Sequence, residues 1–398
     1  MSLIERGCAP YLDSLTLDFS CECTSTTSSS GGDVLDTFAA VLDVSRSKRL
    51  SSLTIYGNAV DNVVIYWRIG ETPVSLQRIM LWNILLKVIP GSNSEKFHTN
   101  SLYKLSLAAL IWTDDLLHML ETSPNLQDLT LDIQLIRPQQ VWNDSNRIIH
   151  LDKLRRFRFS ADESTSRLLD ILYVPSLAFL EFACRDVMEA GSISLKLMRF
   201  LQLSEPRLVF FMFSDLSGVV REGELTSLLE QITTVEELRI TKPGLTDTIL
   251  RALTTMHERT FNEEESLDET VTDPDSAHTG TIRYATSVCP RLVNITLTEQ
   301  GRFTSQAVID LLLSRCWTDD QRSKFWFRDP SATVGSSSAT SEVQTQSCKS
   351  DSKTYIGRNQ LSATATLRLL QCTLGRPELV TEHPQIKLCM DQGLKLTL

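Results

Sequence analysis

Long apolar runs are missing from this sequence. Among its 398 residues the longest stretches are of the kind LSLAALIW, Leu105 to Trp112. That is well short of the roughly 18 residues a helix needs to cross a bilayer, so no membrane partner is expected. Strong positive charge is missing too. Lys and Arg number 39 against 49 Asp and Glu, giving a net charge of −10. Seven of the acids (Glu263, Glu264, Glu265, Asp268, Glu269, Asp273, Asp275) lie between Thr260 and Ile282 with no Lys or Arg among them. Setting them aside leaves −10 + 7 = −3 for the rest, which offers no basic footprint for nucleic acid.

Catalytic signatures are missing as well. There is no HExxH, GxSxG, G-x-x-x-x-G-K-[ST] or G-x-G-x-x-G, each of which places a particular metal ligand, nucleophile or phosphate cradle. The six histidines are scattered, and Cys21-x-Cys23 lacks both the spacing and the second pair of a zinc knuckle. No enzyme activity, metal or cofactor is expected. The nine cysteines are odd in number and dispersed, which suits reduced, packed thiols better than a disulfide framework. The N-terminal MSLIERGCAPYLDSLTLD carries acids and no continuous apolar core of a secretory signal. A cytoplasmic or nuclear location is the expectation.

What the sequence does have is apolar content, 42% of residues, and an ordered placement of it. Ten triples of the form apolar-x-x-apolar-x-apolar fall into one series, running from Leu12/Leu15/Leu17 to Leu292/Ile295/Leu297. Chance would supply many triples, so the spacing is the evidence. From Leu50 through Leu76, Leu102, Leu126, Leu154, Leu177, Leu208 and Val235 the steps are 26, 26, 24, 28, 23, 31 and 27 residues, in or near the 20–29 range of leucine-rich repeats. The longer first step holds the Ser/Thr/Gly-rich CTSTTSSSGG, and the longer last step holds the acidic run.

Between the triples lie helical stripes. GELTSLLEQIT has Leu225, Leu228, Leu229 and Ile232 on one face. DVLDTFAAVLDV (33–44), TDDLLHML (113–120), STSRLLDIL (164–172), LTDTILRAL (245–253) and TSQAVIDLLLSRC (304–316) read the same way. Each unit therefore predicts a strand, a turn and a helix. One such unit cannot seal a core, but stacked neighbours can. The predicted fold class is α/β, a leucine-rich repeat solenoid with a curved parallel sheet on one face and helices on the other.

The solenoid is expected over residues 1–330 with an acidic insertion at about 260–282. A low-complexity, disordered insertion is expected over 331–353, and a C-terminal capping element over 354–398. The Asn or Cys usual three residues after the last apolar position of a repeat is filled only by Asn58, with Leu110, Gln134, Asp162 and Pro243 elsewhere. Irregular loops are expected after those strands.

WTDDLLHMLETSPNLQDLTL (112–131), LTDTILRALTT (245–255) and SVCPRLVNITLTEQGRFTSQAVIDLLLSRC (287–316) resemble the helix-containing leucine-rich repeats of F-box proteins, especially the large fungal, basidiomycete-type families. The resemblance implies recognition of a protein target on behalf of a ubiquitin ligase. The F-box itself, introduced by Leu-Pro in that family, is not visible, since the first prolines are Pro10 and Pro73. Adaptor and cullin subunits are thus implied only if an F-box is supplied upstream. A stand-alone repeat scaffold, of inhibitor or GTPase-regulator type, is the alternative. A hydrolase on an ordinary α/β fold is a remote one.

Reading the outward strand positions unit by unit gives mostly small polar residues. Phe179, Phe210 and Met212 on adjacent units break that pattern, with Arg156, Arg158 and Glu181 beside them. An aromatic cluster rimmed by arginine has the composition of an interaction hot spot. These six residues are the candidate partner-binding site for a protein target on the concave face. The competing reading makes them core under a neighbouring loop or the C-terminal segment. Asp128 and Asp132 are expected to neutralise the two arginines across strands.

Overall fold

Alternation of side chains along a strand places the fourth and sixth residues of each triple on one face, which is buried throughout the interior of the sheet and partly buried on its two end strands. The computed structural model describes residues 12–18, 49–57, 64–68, 75–89, 100–136, 147–185, 190–218, 220–254, 257–260, 281–284, 288–298, 302–316, 367–374 and 376–398. It is an α/β protein built on a large parallel sheet. Among the described residues twelve strands follow one another across it in chain order. They are β1 (Ser14–Asp18), β2 (Ser52–Tyr56), β3 (Arg78–Ile89), β4 (Lys104–Trp112), β5 (Asp128–Leu131) and β6 (Arg156–Ala161). Then come β7 (Phe179–Cys184), β8 (Phe210–Asp215), β9 (Glu237–Thr241), β10 (Asn294–Thr298), β11 (Leu369–Gln371) and β12 (Lys395–Thr397).

The register is continuous. Leu15, Leu53, Ile79, Leu105, Leu129, Phe157, Leu180, Phe211, Leu238, Ile295, Leu370 and Leu396 are successive cross-strand partners. A second column, two residues on, runs from Leu17 and Ile55 to Phe213, Ile240 and Leu297. From Leu53 to Leu370 the residues of the first column are 1% exposed or less, and burial of this kind contributes about 25 cal/mol per Å² of apolar surface.

A polar link joins neighbouring units just before the strands. The hydroxyls of Ser75, Ser101 and Thr234 donate to the carbonyls of Leu50, Leu76 and Leu208 at 2.9, 2.9 and 2.7 Å. In each case the donor immediately precedes the first apolar residue of its triple, and the acceptor is that first residue in the unit before.

Among the described residues seven helices form the second layer: α1 (Thr113–Glu121), α2 (Ala190–Ser204), α3 (Glu222–Gln231), α4 (Asp247–Leu253), α5 (Ser305–Cys316), α6 (Glu378–Thr381) and α7 (Pro384–Asp391). From α2 to α5 each packs on the next, and α5 meets both α6 and α7. Local chemistry starts two of them. The Thr246 hydroxyl accepts from the Thr248 amide at 3.3 Å, and the Thr304 hydroxyl from the Ala307 amide at 3.2 Å, each satisfying an amide that the first turn leaves free. At the other end of the layer the fully buried Arg315 donates to the carbonyls of Leu253, Val288 and Cys289.

Three expectations are modified. Around β3 and β4 a second ladder of strands is added beside the main one, while the helix expected over 113–120 follows β4 directly as α1. Val64–Arg68 pairs with the far half of β3, and Gln134–Ile136 with the end of β4. LWNILLKVI has no Gly or Pro to stop it, so the chain continues extended through a bulge at Asn83 (φ 52°). Gly57 sits against the Asn83 carbonyl, where a Cβ would collide. Leu110 and Gln134 therefore lie in strands rather than irregular loops.

The helix expected over 164–172 is a 3-10 helix, Thr165–Asp170, followed by the short strand Leu172–Tyr173. It lies in the shortest unit of the series, 23 residues, and the Asp162 carboxylate accepts from the Thr165 amide at 2.8 Å to tighten the turn. Finally, residues 367–398 extend the main sheet by two strands. The candidate helix at 33–44, Asn58, Pro10, Cys21-x-Cys23, residues 261–280 of the acidic insertion and the low-complexity stretch 331–353 lie outside the described residues. The flanks of the acidic insertion, His257–Thr260 and Thr281–Tyr284, pair as an antiparallel ribbon.

Candidate protein-binding surface

The register that buries one face aligns the other into rows. Asp128, Arg156, Phe179, Phe210 and Glu237 stand side by side on β5 to β9. Two residues further along each strand, Thr130, Arg158, Glu181, Met212 and Arg239 form the next row. All six residues singled out in the sequence therefore meet on three adjacent strands. Arg156 and Arg158 are exposed, Phe179 is 38% exposed, and Glu181, Phe210 and Met212 are half-buried. No described loop turns them into core. All of them but Met212 border an open depression of about 490 Å³.

Two rings form its floor. Phe179 and Phe210 lie 6.0 Å apart between centroids, and each carries a guanidinium: Arg156 over Phe179 at 5.0 Å, Arg239 over Phe210 at 5.2 Å. Such contacts contribute about 0.5–1 kcal/mol each at exposed sites, enough to hold a long side chain in place. Arg158 Nε and Nη2 donate to the Glu181 carboxylate at 2.5 and 2.9 Å, and that hydrogen bond raises the arginine pKa, with burial opposing it. Arg239 donates to Glu237 at 2.9 and 2.6 Å.

The aspartates pair differently from expectation. Asp128 takes Lys104 at 3.1 Å, and Asp132 takes Arg185. Glu181 takes Arg158, so among the described residues no carboxylate pairs with Arg156. The sequence reading missed Arg239, which completes the symmetric stack, although its place two residues after Glu237 in the same register could have revealed it. It also passed over Tyr56 and Trp82, partners across β2 and β3 that are 38% and 37% exposed.

The other chemically loaded group is buried. Asp215 and Lys242 form an ion pair at 3.3 Å, 0% and 6% exposed, beside Cys184. Asp215 also accepts from the Val220 amide at 2.9 Å, so it fastens the turn after β8. Burial, together with Asp215, pushes the Cys184 thiol up to about 12. It stays protonated at neutral pH and is a poor nucleophile. Among the described residues no three His, Cys, Asp or Glu side chains gather to hold a metal, and no helix is long and apolar enough to cross a membrane.

No protein-family model matches the chain, and the search of curated proteins gives no match. The fold and face together define an α/β protein with a parallel sheet, helices packed behind it, and an arginine-flanked aromatic depression on the sheet's exposed side.

Proposed function

We propose that the chain is a leucine-rich repeat solenoid that binds a protein target through the exposed face of β6 to β9 and performs no chemistry itself. One observation carries this: in a row otherwise of polar and charged side chains, two aromatic rings stay accessible on adjacent strands and each is held by an arginine. Buried aromatic and arginine side chains dominate binding energy when a partner covers them. The resemblance of the repeats to fungal F-box proteins makes target recognition for a ubiquitin ligase the biological setting. Adaptor and cullin contacts would then come from an F-box supplied outside the described strands.

Affinity purification with mass spectrometry tests both levels. Target capture should fall at least tenfold for the double substitution Phe210→Ala with Arg158→Ala. Unchanged capture rejects the face. Recovery of adaptor and cullin subunits supports the ligase setting, and their absence beside a retained target favours a stand-alone repeat scaffold.

A further inference from the structure

Resting on that binding face, we propose that its ligand is an extended peptide segment with one Asp or Glu two residues from an apolar side chain. Arg156 takes the carboxylate and the Phe179–Phe210 pair takes the apolar group.

Charge complementarity carries the first step. Around the depression Lys104 is matched by Asp128, Arg158 by Glu181 and Arg239 by Glu237. Arg156 remains, a cation stacked on a ring. A guanidinium stacked on a ring still offers its in-plane N–H fork, which fits a carboxylate bidentately. One uncompensated cation asks for one anion. The three carboxylates in the same depression disfavour a phosphate dianion or a nucleic acid backbone, and Arg156 disfavours a basic segment.

Spacing carries the second. Neighbouring strands lie about 4.8 Å apart. Arg156 stands on β6, and the two rings on β7 and β8, so the centre of the ring pair is about one and a half spacings away, roughly 7 Å. Alternate side chains of an extended peptide on one face are about 6.8 Å apart. A segment crossing the strands with the order acid-x-apolar, in either direction, puts both groups in place at once.

The test is peptide display against the full chain, followed by titration of the probe Gly-Ser-Glu-Ala-Phe-Ser-Gly and its Glu→Gln counterpart. Wild type should enrich Asp or Glu two places from an apolar residue, and the Gln probe should bind about tenfold more weakly. Arg156→Glu should invert the preference to Lys or Arg, whereas Arg156→Gln should weaken binding without inversion. Circular dichroism melting confirms that these exposed substitutions leave the fold intact. Enriched peptides that need Phe210 but no acid overturn the carboxylate reading and leave the binding face standing. A preference for phosphorylated over carboxylate peptides overturns it too. No enrichment, or enrichment indifferent to both Arg156→Glu and Phe210→Ala, overturns the face itself.

Discussion

The stretch from β2 to β5 and the stretch from β6 to β10 share one hydrogen-bonded ladder yet close their cores differently. In the first, a second ladder of strands runs beside the main one together with the helix α1, and the rungs are aliphatic: Leu53, Ile55, Ile79, Leu81, Leu105 and Leu107. In the second, helices α2 to α5 lie behind the sheet and aromatic rungs appear at Phe157, Phe159, Phe182, Phe211 and Phe213. Strands stack about 4.8 Å apart, whereas packed helices need about 8–10 Å between axes. Larger side chains fill the core behind β6 to β8, while β9 and β10 keep the aliphatic Leu238, Ile240, Ile295 and Leu297. Ring contacts run from Phe159 edge-on to Phe182, and from Phe182 stacked on Phe213, with centroids 5.9 and 6.2 Å apart.

Exchanging rung sizes between the two stretches tests this account. Phe182→Ala should cost about 4 kcal/mol, because a ring 1% exposed leaves a large cavity between two others. The reverse change, Leu105→Phe, should cost about 2 kcal/mol by overpacking a rung spaced for aliphatic side chains. Urea unfolding of each variant measures both. If Leu105→Phe proved neutral, the two stretches would have equal room and the account of rung size would fail.

The same contrast explains what was legible in the sequence. The triples from Leu50 to Val235 were, because each places aliphatic or aromatic side chains on the one face that neighbours can bury. The second ladder was not: an unbroken apolar stretch such as LWNILLKVI does not reveal its structure by periodicity. The rung Leu367/Leu370/Cys372 was hidden by its distance of 75 residues (367 − 292) from Leu292 and by a cysteine in the sixth place. In β12 a glycine, Gly393, takes the first place. At the site, the period placed Arg156, Phe179 and Phe210 together. The pairing of charges escaped it, because every residue in a row has two cross-strand neighbours and side-chain geometry decides between them.

The stretches also differ in thiols, as residues 49–136 contain no cysteine. Burial pushes the Cys184, Cys289 and Cys372 thiols up to about 12, against about 8.5 in an unfolded chain. Between those values the unfolded chain gives up protons that the folded chain keeps, so stability falls as pH rises. The expected slope is about 1.4 kcal/mol per pH unit for each thiol. Urea unfolding between pH 8 and 10 should show it, and Cys289→Ala should remove its share. Hydrogen exchange at pH 10 should place the loss beyond β6, and a loss confined to residues 49–136 would contradict the assignment.

One device is common to both stretches, and it sets the smallest effect. The hydroxyl link from Ser101 to the Leu76 carbonyl belongs to the strand-backed stretch, and that from Thr234 to the Leu208 carbonyl to the helix-backed one. Each spans one unit, and each holds its donor just ahead of the apolar triple. The link acts on the ladder itself rather than on whatever closes the core behind it. Its loss should then cost the same on either side, about 1 kcal/mol for a neutral hydrogen bond to a half-buried carbonyl. Ser101→Ala and Thr234→Val remove the donor with little change of volume, and Thr234→Ser retains it. Equal losses for the first two and near-neutrality for the third are expected in urea titrations. A loss at Ser101 with none at Thr234 would mean that the helix-backed units are held in register by their second layer alone, leaving the hydroxyl link idle there.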